Sequence, residues 1–329
     1  MNRKFVGIDH GTHAVRFAII GDKVKTFSFA RSKRKLSKEE VLTRLFKHVD
    51  KKEIALVALT YSMGDAINEI LPLEIVEGRG LVSNKGAGEY VGTGTQIYDI
   101  IKNSGLKSIL IPGLHKGCDF LDTRFRALYS HCGSADKVCA SYHAYLRFSC
   151  KNMIVSNLGA SSVSVAIKNG KIVGGLDACI LGCGLKYGPL DVEAIRKIDA
   201  GEISANEAFS HSGLGKLGFS NVNSLIEGIK KDEKSAKVAL ESLILSTAMC
   251  ISALFPLYPK KPAVVLTGSV PHILGEKLFI KPLERMFYGL ELYRLDNTAA
   301  CKGAAEIARA VFEGKKEILG IKIHDSLYN

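Results

Sequence analysis

The sequence predicts an α/β protein built from two copies of one unit facing each other across a cleft. Three observations carry that expectation. There is a gap-free internal repeat, strands alternate with amphipathic helices, and three turns of glycine and hydroxyl residues fall at strand ends. Residues 6–24 read VGIDHGTHAVRFAIIGDKV and residues 154–172 read IVSNLGASSVSVAIKNGKI. Side by side they pair Gly11 with Gly159, Val15 with Val163, Ala18 with Ala166, Ile19 with Ile167 and Asp9 with Asn157. Each copy is an apolar strand ending in a small polar residue, a turn, a second apolar strand, another turn and a third strand. The second turns, Gly21-Asp22 and Asn169-Gly170, have the residues that tight hairpins with positive φ require. Each half should therefore open with a three-stranded meander.

The remaining elements alternate in kind. Residues 38–49 predict a helix, with Leu42, Leu45, Phe46 and Val49 on one face. Residues 54–59 and 106–111 read as short buried strands, and 135–149 as a helix. In the second half, 191–197 starts a helix and Ser204-x-x-Glu207 has capping-box spacing. A long helix over 233–255 stops at Pro256 and Pro259, 263–266 is a buried strand, and 298–313 is a helix ending at Gly314. Alternation of this kind excludes all-α and all-β architectures. The division falls near 147–153, giving an N-terminal domain over 1–150 and a C-terminal domain over 151–329, whose last helix can pack back toward the first domain.

Composition narrows the function classes. At 47% hydrophobic and 24% charged, the 329 residues can fill a core, which excludes bulk disorder. The most apolar segment, 244–258, is interrupted by Ser246, Thr247, Ser252 and Pro256, so no membrane span is expected. With no apolar leader after the first residues, a cytoplasmic protein is expected. The formal charge of +12 fits an anionic small substrate or a solvated basic surface. Clusters such as Lys51-Lys52 lack interleaved aromatics, and no nucleic-acid partner is expected. The eight cysteines form no CxxC pair and read as reduced thiols, Cys179 and Cys183 being the one close pair.

The turns carry the chemistry. Gly11 and Thr12, following Asp9, can present backbone N–H groups to phosphate oxygens, with Asp9 at the strand end as a Mg²⁺ ligand. The duplicated turn offers Asn157, Gly159, Ala160 and Ser161, and a third loop, Thr267-Gly268-Ser269, follows a buried strand. His10, His13 and Arg16 lie beside the first turn, where strand alternation should send them to different faces.

In these features the chain resembles the duplicated ribonuclease H-like ATPase fold shared by sugar kinases, Hsp70, actin and acetate kinase. Residues 9–12 resemble its first phosphate motif, 157–161 its second and 264–269 its adenosine motif. Within that superfamily it is most similar to the acetate and butyrate kinase branch. Gly78-Arg79-Gly80 and the glycine-rich run 86–94 resemble a butyrate kinase loop. Residues 120–125, with Asp122, resemble the Phe-Asp-Thr-x-Phe segment whose Asp is catalytic, and Tyr142-His143 resembles the Phe-His segment before the second phosphate motif. Residues 6–12 and 77–81 further resemble an archaeal family known as methanogenesis marker protein 12.

The resemblance implies ATP and Mg²⁺ as cofactors, bound in a cleft between the domains by Gly11, Thr12, Asn157, Gly159, Ala160, Ser161, Gly268 and Ser269. It implies catalytic roles for Asp9, Arg79, Asp122 and His143, with Asp9 and Asp122 on the metal and Arg79 clamping an acceptor carboxylate. The implied activity is transfer of the ATP γ-phosphate to a small carboxylate or other anionic acceptor in a methanogenic archaeon. Where acetate kinases carry a metal-side Gly-Glu-Asn, this chain has Val270-Pro271-His272. That departure favours the alternative, an ATP-dependent switch or enzyme-activating ATPase with a protein partner in methanogenesis. A homodimer is the expected assembly.

Overall fold

Strand β1 (Lys4–His10) is buried over its middle residues and pairs antiparallel with β2 (Ala14–Ile20), which pairs antiparallel with β3 (Lys25–Ala30). Both meanders foreseen from the repeat are therefore present, since β9 (Met153–Leu158), β10 (Ser162–Lys168) and β11 (Lys171–Leu176) repeat the pattern. The structure, a computed structural model, describes residues 3–32, 34–61, 64–83, 92–287 and 289–328.

After β3 the chain forms α1 (Lys38–Phe46), where Ser37 accepts from the N–H of Glu40 as N-cap, and returns through β4 (Ile54–Thr60), parallel to β1. Then follow β5 (Leu71–Pro72), α2 (Thr93–Lys102) and β6 (Ser108–Leu110), which is parallel to β4. The link to the second half contains β7 (Leu114–His115), α3 (Thr123–Leu128), β8 (His131–Gly133) and α4 (Ala135–Phe148). Beyond β11 lie α5 (Val192–Asp199), α6 (Ala205–Ser210), α7 (Val222–Lys230) and α8 (Lys234–Leu254). Strand β12 (Ala263–Thr267), parallel to β9, leads into α9 (Ser269–Gly275). The chain then runs through α10 (Lys281–Arg285) and β13 (Leu292–Arg294) to α11 (Ala299–Phe312). The sheets run β3-β2-β1-β4-β6-β5 and β11-β10-β9-β12-β13, so the duplication reaches well past the repeated segment.

The layers follow from which faces are apolar. One core cluster joins the facing sides of both sheets to α4 and α11. The outer side of the first sheet is covered by α1 and α2, and that of the second by α7, α8 and α9. Sequence patterning did not expose α2, whose first turn carries Thr93 and Gly94, nor the short β13. By length and composition alone 234–257 is long enough to cross a membrane, and it holds an 18-residue window of mean hydropathy 1.9. In this fold α8 puts Leu243, Ile244, Ile251 and Leu254 into the second core.

Small residues set the spacing of the middle layer. A Cβ on Gly7 would stand 2.1 Å from the carbonyl oxygen of Cys301, and one on Gly303 would stand 1.9 Å from that of Cys139. So α11 lies directly on the backbones of β1 and α4. Neither contact can relax by moving a side chain, because the opposing atoms are backbone. Gly7→Ala should lower the unfolding free energy by about 3 kcal/mol in urea titration, the upper range for overpacking; a loss under about 0.5 kcal/mol would contradict this packing.

Candidate functional site

A cavity of about 170 Å³ opens between the two sheets and is lined by both halves. From the first half come the turn after β1 and Arg16 on β2; from the second come Asn157, Gly159, Ala160 and Ser161, then Thr267, Gly268 and Ser269 after β12. The strand register explains the convergence. Asp9 lies opposite Thr60 across β1 and β4, and Asn157 opposite Thr267 across β9 and β12. In each half, the first strand and its parallel neighbour end together at the cleft.

Gly268 is conformationally required. Its φ is +99°, and a Cβ there would meet the Leu158 carbonyl oxygen at 2.3 Å. The third loop thus lies flush against the second phosphate-type turn. That turn is braced from behind, because the N–H groups of Lys186 and Tyr187 both donate to the Ala160 carbonyl at 2.9 Å. The Leu185 N–H donates to the Gly159 carbonyl as well, so the 184–187 loop ties this turn at two carbonyls.

The cavity's charges come in facing pairs. Asp9 is 4% exposed; Arg16 Nη1 approaches its Oδ2 at 3.5 Å, and its Oδ1 is buried without a hydrogen-bond partner. Burial and the nearby Asp136 carboxylate raise its pKa to about 6, against the pull of Arg16 and Lys137. Asp136 accepts from Ser134 Oγ and from Lys137 Nζ, both at 2.6 Å. Burial would lower the Lys137 pKa, but Asp136, with Asp177 and Asp9 behind it, holds that ammonium above its ordinary value. His10 is held neutral, its pKa lowered to about 3 by burial and by Arg31. Both its ring nitrogens are buried without a hydrogen-bond partner.

The structure brings Asp9, Gly11, Thr12, Asn157, Gly159, Ala160, Ser161, Gly268 and Ser269 to this one cavity. It does not bring Arg79, Asp122 or His143 there. Arg79, at φ +58°, makes a bidentate pair with Asp99 at 3.0 and 3.1 Å outside the cavity lining. Asp122 is the N-cap of α3; Arg124 donates to it from backbone and guanidinium, which lowers its pKa to about 2. His143 points from α4 to Glu306 on α11 at 2.9 Å, a tie between two packed helices. Asp122 therefore does not line the cavity that holds Asp9, and no group of three or more His, Cys, Asp or Glu side chains is placed to hold a metal ion among the described residues. The glycine-rich run 86–94 lies outside the described residues up to Val91.

Sequence reasoning missed Asp136 and Lys137, and it underrated His10, His13 and Arg16, all of which line the cavity. Alternation failed for His13 because the chain leaves strand geometry after His10. The signal for Asp136 was present: a helix start directly after a strand, in the segment before the second phosphate-type turn. An acid in the first turn of a helix reads first as dipole complementation, which hid it.

The comparisons with known proteins agree with this architecture. The chain is 44% identical over 324 residues to a UPF0285 protein of Methanocaldococcus jannaschii, covering 97% of this chain and 98% of that protein. The chain belongs to the UPF0285 family. A second UPF0285 protein, from Methanothermobacter thermautotrophicus, is 40% identical over 326 residues, covering 97% and 98%. No family model matches the chain. Among solved structures, this UPF0285 chain superimposes on an acetate kinase from Entamoeba histolytica with TM-score 0.63 at 10% identity, covering 93% of this chain and 100% of that one. A propionate kinase from Francisella tularensis gives TM-score 0.61 at 15% identity, covering 92% and 98%. A ROK family glucokinase from Streptomyces griseus, in complex with glucose and AMPPNP, gives 0.52 at 12%, covering 93% and 99%. The chain shares the α/β fold of these acetate, propionate and sugar kinases.

The raised Asp9 pKa has a sign that can be measured. A carboxyl whose folded pKa exceeds its unfolded value of 3.8 holds its proton longer in the native state. Stability is then lost as pH rises from about 4 to about 6. Asp9→Asn removes that loss. In urea unfolding, the variant should gain about 3 kcal/mol on wild type between pH 4 and pH 7. A difference that does not change with pH would contradict the assigned burial.

Proposed function

We propose that this UPF0285 protein is an ATP-binding phosphotransferase that moves the γ-phosphate of ATP–Mg²⁺ to a small acceptor. The observation that carries the reading is the meeting of three glycine turns, two related by duplication, around a buried carboxylate with an orphaned oxygen. Gly11 and Thr12 on one side, and Ala160 and Ser161 on the other, would hold phosphate oxygens through backbone N–H groups, while the Gly159 N–H closes its own turn by donating to the Ser161 carbonyl. Thr267, Gly268 and Ser269 would face the adenosine. Mg²⁺ usually takes one or two carboxylates and keeps several waters and phosphate oxygens, a demand that Asp9 with Asp136 nearby would meet. When bound it would supply charge neutralisation between phosphates. Arg16 and Lys137 would then face the charge that builds on the transferring group.

The acceptor reading narrows relative to the sequence expectation. Arg79 is engaged by Asp99 outside the cavity, and Arg16 and Lys137 each face a carboxylate. That pairing favours the second reading kept here, an ATP-dependent switch or enzyme-activating ATPase acting on a protein partner. In either reading residues 1–150 and 151–329 are the two lobes, and the protein works in the cytoplasm of a methanogen, as a homodimer. The resemblance to methanogenesis marker protein 12 belongs to this proposal.

Calorimetry with ATP–Mg²⁺ should show binding by wild type. Lys137→Met should keep ATP affinity within tenfold while lowering the rate of ADP release about 10²-fold, the scale for one preorganised charge donor. ADP release that rises with a carboxylic or hydroxyl acceptor supports transfer, and release insensitive to every acceptor supports the switch. A folded wild type that binds no ATP contradicts both.

A further inference from the structure

At the end of β1 opposite Asp9 lies a second cavity, of about 350 Å³. Its floor includes Ile54, Leu106 and the ring of Phe312, which is 40% exposed. Its rim carries Arg3, Lys51, Lys52 and Lys107 against a single carboxylate, Glu53. Among the described residues none of these four cations has an ion-pair partner. Asp50, the next acid along the chain, accepts from the backbone N–H of Lys52. Lys51 Nζ donates to the Ser104 carbonyl, and the Arg3 guanidinium lies 4.5 Å over the Phe312 ring.

Like charges gathered in one concavity repel each other and raise the local concentration of anions. The Arg3 guanidinium lies over the Phe312 ring and the Phe5 ring stands 5.5 Å from it, so the planar face offered to another planar group is the outer side of the guanidinium. Lys51-Lys52, which as sequence reads only as solvated surface, thus forms part of a concave basic rim over an apolar floor.

We propose that this cavity is a second ligand site that takes a nucleotide-class anion, phosphates on the lysine rim and planar base on the Arg3 guanidinium that Phe312 backs. With Glu53 as the one carboxylate, this binding needs no divalent cation. The same two elements carry both cavities. Strand β1 runs from beside Arg3 to Asp9, and α11 runs from Ala300 in the cleft to Phe312 here. A ligand bound here therefore contacts the strand and helix on which the cleft is built.

The test titrates ADP calorimetrically into the full chain, with Mg²⁺ and again in EDTA. Wild type should keep one binding event in EDTA, weakened by added salt. Lys52→Glu combined with Lys107→Glu should abolish that event, with an unchanged circular-dichroism melt showing that the variant is folded. Phe312→Ala should weaken ADP about tenfold and leave inorganic tripolyphosphate affinity unchanged. Absence of EDTA-resistant binding in wild type, or its survival in the charge-reversed variant, overturns the site. Equal ADP affinity in Phe312→Ala overturns the stacked base. Failure of the cleft reading is distinguishable, since it removes the Mg²⁺-dependent event and leaves this one.

Discussion

The close packing of α11 onto β1 and α4 is the constraint on which the rest depends. Glycine at 7 and at 303 lets helix and strand backbones approach to distances no side chain permits. That contact fixes the spacing of the two sheets, because β1 belongs to the first and α4 leads into the second. The cleft is the consequence. Two parallel strand pairs, β1 with β4 and β9 with β12, end at a common level, and the turns leaving them face each other.

Charge is then introduced at this cleft, where Asp9 and Lys137 are both buried. Arg16 faces Asp9 and Lys137 faces Asp136, so the cavity pairs its own ions. The pairing is incomplete: one Asp9 oxygen and both His10 nitrogens are buried without partners. Orphaned buried polar groups cost about 1–3 kcal/mol each, which is destabilising unless a ligand or water satisfies them. These unpaired atoms lie where three turns converge, and in the proposed function a bound ligand would satisfy them.

Much of this was legible in the sequence because duplication is a pattern over many residues. Pairing Asp9 with Asn157 located the two strand ends, and Gly268 marked a loop that no other residue type could fill. Three expected site residues that do not line the cavity have one feature in common. Arg79, Asp122 and His143 were placed by resemblance over short segments, and short segments do not encode what a side chain faces. Asp122 has an arginine two residues on that captures it, and His143 sits where α4 meets Glu306 of α11, a contact between residues far apart in the chain. Asp136 and Lys137 were overlooked because a capped helix start and a cleft-facing helix start have the same local composition. Only the three-dimensional meeting of β8, β1 and β9 separates them.

In the proposed function one ligand bridges the two duplicated turns. Hydrogen exchange with and without ADP–Mg²⁺ tests it most directly, read at the backbone amides of residues 11–13 and 159–162. Both turns should gain protection together, at one ligand concentration, because a phosphate chain held between them contacts both. Protection of one turn alone, or of neither while the ligand is bound, would contradict it.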